Sequence, residues 1–215
     1  SETEGSRYDK EIENACEWLC NLQNSDGGFP TFTRGWGKLP FDQSCSDLTG
    51  HAVLAVSKAI DYLDKQIPEK KLARYRKLVL SAFQYLRIHQ KDNGAWLPLW
   101  FGNQQVVDHT NPVYGTARVI TYLNDAMDCN WISKELKNSI CTLVEKGTVY
   151  LLSVQNDDGS WGGDRGIAGS VEETSLALSA IIKTSRKQRI EKGFNWLDRK
   201  FRTDGLKASP IGLYF

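Results

Sequence analysis

The chain is 215 residues long, 40% apolar and close to neutral, with 27 Lys and Arg against 26 Asp and Glu. That apolar content suffices for a buried core, and the charge balance supplies no overall field for capturing nucleic acid. No uninterrupted apolar run approaches the ~20 residues a membrane-spanning helix needs, which excludes a transmembrane protein but not one lying on a single leaflet.

In chain order, helical periodicity predicts helices over 8–23, 47–64, 69–90, 113–126, 134–155, 171–184 and 187–201. The first is polar along one side (Lys10, Glu11, Glu13, Glu17), carries Ala15, Trp18, Leu19 and Gln23, and runs into Asp26-Gly27 and Phe29. The second opens on Asp47 and is apolar from His51 to Ile60. The third follows Pro68, has a polar side (Lys70, Arg74, Arg76, Lys77), and repeats the pattern of the first as Ala82, Tyr85, Leu86, Gln90, Gly94 and Trp96. The fourth follows Pro112, a residue suited to a first helical turn. The fifth has Ser133 as a cap and a third copy of the pattern, Gly147, Tyr150, Leu151, Gln155, Gly159 and Trp161. Ser170 and Glu173 have capping-box spacing ahead of the apolar sixth helix, Ser175 to Ile182. The seventh holds a fourth copy, Gly193, Trp196, Leu197 and Gly205, with Phe201 in place of the Gln and Lys207 in place of the aromatic.

The pattern thus recurs near 15–29, 82–96, 147–161 and, degenerate, 193–207. A repeat of this length is a supersecondary unit that buries its apolar face on its neighbours. Each unit reads as helix, Gly turn, helix, with the turn glycine at positive φ. Polar first helices facing water and apolar second helices facing inward make an all-α fold, an α/α toroid or incomplete α/α barrel of repeated helix pairs, formed by residues 1–215 as a single domain. Gln23, Gln90, Gln155, Trp96 and Trp161 are read as structural, tying one helix to the next through packing and bonds to helix-end groups. The five cysteines, an odd number, argue against a disulfide framework and for a reducing compartment, and no Cys and His spacing matches a compact metal site.

The Gln-x-x-x-Gly-x-aromatic motif with its upstream ring resembles the QW repeat of the squalene and oxidosqualene cyclase family. The likeness extends beyond the motif. Leu39-Pro40-Phe41 ahead of Asp47, Thr49 and His51 is similar to the family's Leu-Pro-Phe element and its Asp-Val-Thr-Ala-His-Val helix. Asn111, Tyr114, Gly115 and Thr116 resemble its Asn-Tyr-x-Tyr-Gly-Thr stretch, with Pro112 where a Tyr is usual. The segments QNDDGSWGG, SVEETSLALSAI and ASPIGLYF follow in family order.

The resemblance implies the C-terminal part of a class II terpene cyclase. Such an enzyme protonates an alkene or epoxide of a squalene-like isoprenoid with a strong carboxylic acid and cyclises the cation in an aromatic-lined cavity, without metal or cofactor. The family's Asp-x-Asp-Asp acid motif does not occur in this chain. His51 is implied as the activator of an acid outside the chain, with Asp47 as its polar neighbour, and Trp36, Trp100, Phe101 and Tyr114 as cavity residues. Ser209 and Leu213 stand where hopene-type enzymes carry Phe. The implied partners are an isoprenoid or lipid, the N-terminal half of a parent protein, and one membrane leaflet through the LPLWF segment at 97–101, from a cytoplasmic location. By itself the chain is expected to be inactive. The rival reading is a noncatalytic toroid that binds a lipid or a protein; a protein prenyltransferase subunit would need an Asp, Cys and His zinc set that the sequence does not offer.

Overall fold

Every stretch of helical periodicity forms a helix, with ends close to those the pattern sets. The computed structural model describes residues 8–34 and 39–204. Its helices are α1 (Asp9–Leu22), α2 (Ser46–Leu63), α3 (Glu69–His89), α4 (Pro112–Ala126), α5 (Lys134–Ser153), α6 (Val171–Ile181) and α7 (Lys187–Asp204). Between α1 and α2, β1 (Phe29–Pro30) pairs antiparallel with β2 (Ser44–Cys45). The starts follow the chemistry of exposed helix-end N–H groups. Ser133 accepts from Leu136 N at 3.2 Å and Ser170 from Glu173 N at 3.1 Å. Asn111, a cap the sequence did not announce, accepts from Tyr114 N at 3.0 Å, with Pro112 as the first residue of α4.

Backbone proximity divides the chain into two compact units. One holds the described residues of Ser1–His89 with Tyr122–Ile140; the other holds Gln90–Thr121 with the described residues of Cys141–Phe215. In the first, α2 packs along α3 and α1, and its buried side chains include Val53, Val56, Ile60, Leu63, Leu72 and Tyr75. In the second, α6 packs on α7, and the largest fully buried side chains are Trp96 and Trp161. Each ring removes about 200 Å² from water, worth roughly 5 kcal/mol before the entropy of ordering is subtracted.

The three intact copies of the motif make the same bonds. Gln23 Nε2 donates to the carbonyls of Gly27 (2.8 Å) and Leu78 (3.0 Å). Gln90 does so to Gly94 and Leu143, both at 2.9 Å, and Gln155 to Gly159 (2.9 Å) and Arg189 (3.0 Å). The second carbonyl lies within the following helix α3, α5 or α7, so the expected partner, an unpaired helix-end group, is corrected: each Gln shares a carbonyl inside a helix wall. The turn glycines Gly27, Gly94 and Gly159 have φ of 89°, 93° and 97°.

A second recurring bond joins each turn to the next helix start. The N–H groups of Phe29, Trp96 and Trp161 donate to the Thr49, Thr116 and Thr174 hydroxyls at 2.9, 2.9 and 3.0 Å. Thr116→Val keeps the shape and removes the acceptor from a buried N–H, so a loss of about 1–3 kcal/mol is expected in chemical denaturation. Thr116→Ser should lose much less; equal losses would sink the hydrogen-bond account.

Candidate functional site

In the first unit the site forms at the start of α2. Asp47 is buried in the first helical turn, where the helix dipole favours a carboxylate, and it accepts the Cys45 thiol. His51, one turn on, is exposed. Its ring stacks on Tyr122, with centroids 4.8 Å apart and planes within 5°. The spacing places Asp47 and His51 on one helix face, but their surroundings differ: the carboxylate is held inside by Cys45 and the imidazole opens outward. His51 lines a cleft of about 230 Å³ together with Trp18, Leu19, Phe29, Leu48 and Ala55. This wall is aliphatic and aromatic, suited to an apolar ligand.

In the second unit, Phe101 and Tyr114 stack at 4.4 Å and 18°. Tyr114 is buried, and Trp100 and Phe101 are half-buried, as is the rest of the apolar segment 97–101. Trp96 is fully buried; its ring lies 3.0 Å from where a Cβ on Gly147 would stand, so it packs against the next repeat. Trp36 lies outside the described residues, as do Ser209 and Leu213.

The same unit contains a polar centre that the sequence did not single out. Glu173 is 3% exposed, and its Oε1 accepts the side-chain amides of Asn103 and Asn111, both at 3.0 Å. The reciprocal half of the expected capping box is therefore corrected. Ser170 caps α6, but the Glu173 carboxylate turns to the 102–111 loop, and Ser170 N donates to the Trp161 carbonyl at 3.0 Å. Two charge-assisted amide bonds compete well with one backbone N–H. Asn111 thereby caps α4 with its oxygen and holds Glu173 with its nitrogen. No local pattern marks Asn103, Asn111 and Glu173 as neighbours, nor Tyr122 as the partner of His51.

The motif tyrosines are proton donors. Burial, above all, pushes the phenols of Tyr85 and Tyr150 far above their ordinary range, and the Asp164 carboxylate adds to the shift at Tyr150. Tyr85 donates to the Ser44 carbonyl at 2.9 Å and Tyr150 to Asp164 at 2.8 Å.

A family model described as the squalene-hopene cyclase C-terminal domain matches residues 1–210. The chain belongs to this family. Among relatives of this squalene-hopene cyclase C-terminal domain, enfumafungin synthase efuA of Hormonema carpetanum is 25% identical over 95% of the chain and 16% of its own length. Lanosterol synthase of Homo sapiens is 29% identical over 68% of the chain and 20% of its own length. In fold, the domain is similar to ent-copalyl diphosphate synthase from Streptomyces platensis, with a TM-score of 0.63 and 17% identity over 88% of this chain and 32% of that one. The fold is all-α, of the α/α-toroid class the repeats predict. The chain spans less than a third of each of these proteins.

Proposed function

We propose that this domain contributes the activating histidine and part of the cavity wall of a class II, proton-initiated cyclase acting on a squalene-like isoprenoid. The observation that carries the reading is His51, an exposed imidazole held by Tyr122 at the mouth of an apolar cleft. A carboxylic acid strong enough to protonate an alkene must be kept neutral in an apolar site, and a hydrogen bond from an imidazole to its second oxygen stabilises the conjugate base as the proton leaves. The acid is carried by polypeptide outside these 215 residues, since no Asp-x-Asp-Asp occurs among them. Trp36, Trp100, Phe101 and Tyr114, the cavity residues the resemblance implies, carry rings of the kind that stabilise a cation. Asp47 acts only through α2, by fixing its first turn. Among the described residues no helix is long and apolar enough to cross a membrane; the reading adds a cytoplasmic location with contact to one leaflet.

In a cyclase that carries this domain and an intact acid, His51→Ala is expected to lower squalene turnover by about 10²-fold or more, the usual worth of a group assisting proton transfer. Its melting temperature should fall by no more than a few degrees, because the exposed ring contributes only its stacking on Tyr122. Unchanged turnover would remove the histidine from the mechanism. The 215-residue chain alone should give no cyclised product by gas chromatography and mass spectrometry, and product from it would overturn the reading.

A noncatalytic toroid that holds a lipid or a protein is the second reading. It is favoured by Pro112, which has no hydroxyl to join a relay, and by the turn of Asp47 toward Cys45. Squalene binding by the acid-bearing cyclase, without turnover, would select it.

A further inference from the structure

In three places a Gln-x-x-x-Gly-x-aromatic turn docks on the helix that follows it, and the receiving site is the same each time. On α3 the Leu78 carbonyl accepts from Gln23, the Ser81 carbonyl abuts Gly27, and the next residue is Ala82. On α5 these places are taken by Leu143, Lys146 and Gly147, and on α7 by Arg189, Lys192 and Gly193. The small residue is buried in all three. The Trp96 and Trp161 rings come within 3.0 Å of a Cβ placed at Gly147 and Gly193. On α3 and α7 the ring three residues further on donates back to the segment that carries the docked turn, Tyr85 to the Ser44 carbonyl at 2.9 Å and Trp196 Nε1 to Asp158 at 3.0 Å.

Helix α1 has the same frame at the same spacing, Glu11, Asn14, Ala15 and Trp18. Here the small residue Ala15 is exposed and Trp18 is 59% exposed, where its counterparts Tyr85 and Tyr150 are each 4% exposed and Trp196 is half-buried. The three intact turns of the chain are already docked. The fourth has Phe201 where the donating Gln belongs and Lys207 where the ring belongs, so a second copy has no matching turn to offer.

We infer that the face of α1 made by Glu11, Asn14, Ala15 and Trp18 is a socket for a further turn of this type, carried by polypeptide outside these 215 residues. The incoming Gln amide donates to the Glu11 carbonyl, and its glycine, at positive φ, lies against the Asn14 carbonyl. Its aromatic ring covers Ala15, and the Trp18 indole N–H donates to the arriving segment. Trp18, Leu19 and Leu22, which line one side of the cleft, continue the same apolar face. The inference stands on repeat geometry and does not require turnover, although Trp18 also lines the cleft on which His51 opens.

The test copies residues 69–132, a complete helix, turn and helix, directly ahead of Tyr8 in place of residues 1–7. Circular dichroism should show the added helices, and oxidative footprinting should show Trp18 protected at least about fivefold relative to the present chain. Replacing Gln90 by Ala and Gly94 by Leu in the added copy alone should abolish that protection. Ala15→Leu should leave the melting temperature of the present chain unchanged and lower that of the extended one. The proposal is overturned if Trp18 stays as reactive in the extended chain, or if Ala15→Leu already destabilises the present one. A copy that gains no helicity counts against it equally, since the socket should template the fold. A dimer of the present chain formed through α1 would overturn the choice of occupant.

Discussion

Gly94→Ala is expected to lower the melting temperature by about 10 °C, while Gly166→Ala lowers it by only a few degrees. Both glycines have positive φ, 93° and 72°, so both substitutions incur the left-handed penalty of about 1–2 kcal/mol. The surroundings decide the difference. A Cβ at Gly166 meets nothing within 4 Å, whereas one at Gly94 overlaps the Lys146 carbonyl, which is part of the backbone of α5 and cannot rotate away. The turn must lift from α5, and the 2.9 Å bond from Gln90 to the Leu143 carbonyl goes with it. Adding a lost hydrogen bond and loosened packing around Trp96 brings the total to about 4 kcal/mol. Calorimetry on the two variants separates the effects: equal losses would mean that backbone conformation alone matters and that the docking contact is worth little.

Glu173→Leu is expected to cost about 3–4 kcal/mol, because it leaves the Asn103 and Asn111 amides without their shared acceptor in a buried place. Glu173→Gln retains an oxygen that both amides can reach and should cost about 1 kcal/mol, the difference between a charge-assisted and a neutral hydrogen bond. Hydrogen exchange distinguishes this centre from a merely tight core. In Glu173→Leu, protection should fall first in the 102–111 loop and the start of α4, which Asn111 caps, with α7 unaffected. Uniform loosening across the unit, or a stabilised Leu variant, would show that the carboxylate does not hold the loop.

Much of the fold is legible in the residues because its rules are local. The 3.6-residue periodicity marks α1 to α7, Ser133 and Ser170 mark helix starts, and Asp26-Gly27, Asn93-Gly94 and Asp158-Gly159 mark turns in which only glycine takes φ near 90° without strain. The recurrence of small residue, ring, Gln, Gly and ring is also visible by eye, and it implies docking between consecutive units. What the spacing cannot convey is the partner. The three glutamines select carbonyls 55, 53 and 34 residues away, inside the walls of α3, α5 and α7. Those carbonyls are reached only because the small residue four positions on lets the turn come close.

The candidate site divides along the same line. His51 is marked by its place in a family-like helix, and its ring opens on an apolar cleft. Its stacking on Tyr122, 71 residues away, and the capture of Asp47 by Cys45 depend on how helices meet. Glu173 is the clearest instance. Its spacing from Ser170 announces a capping box, a local bond, yet two amides from a distant loop offer a burial-proof alternative that only the assembled unit supplies. Helices, turns and repeat follow from the order of residues, since backbone propensity and glycine stereochemistry act within a few positions. Polar pairing follows from assembly, because in a buried interior each donor and acceptor takes the best partner that packing brings within about 3 Å.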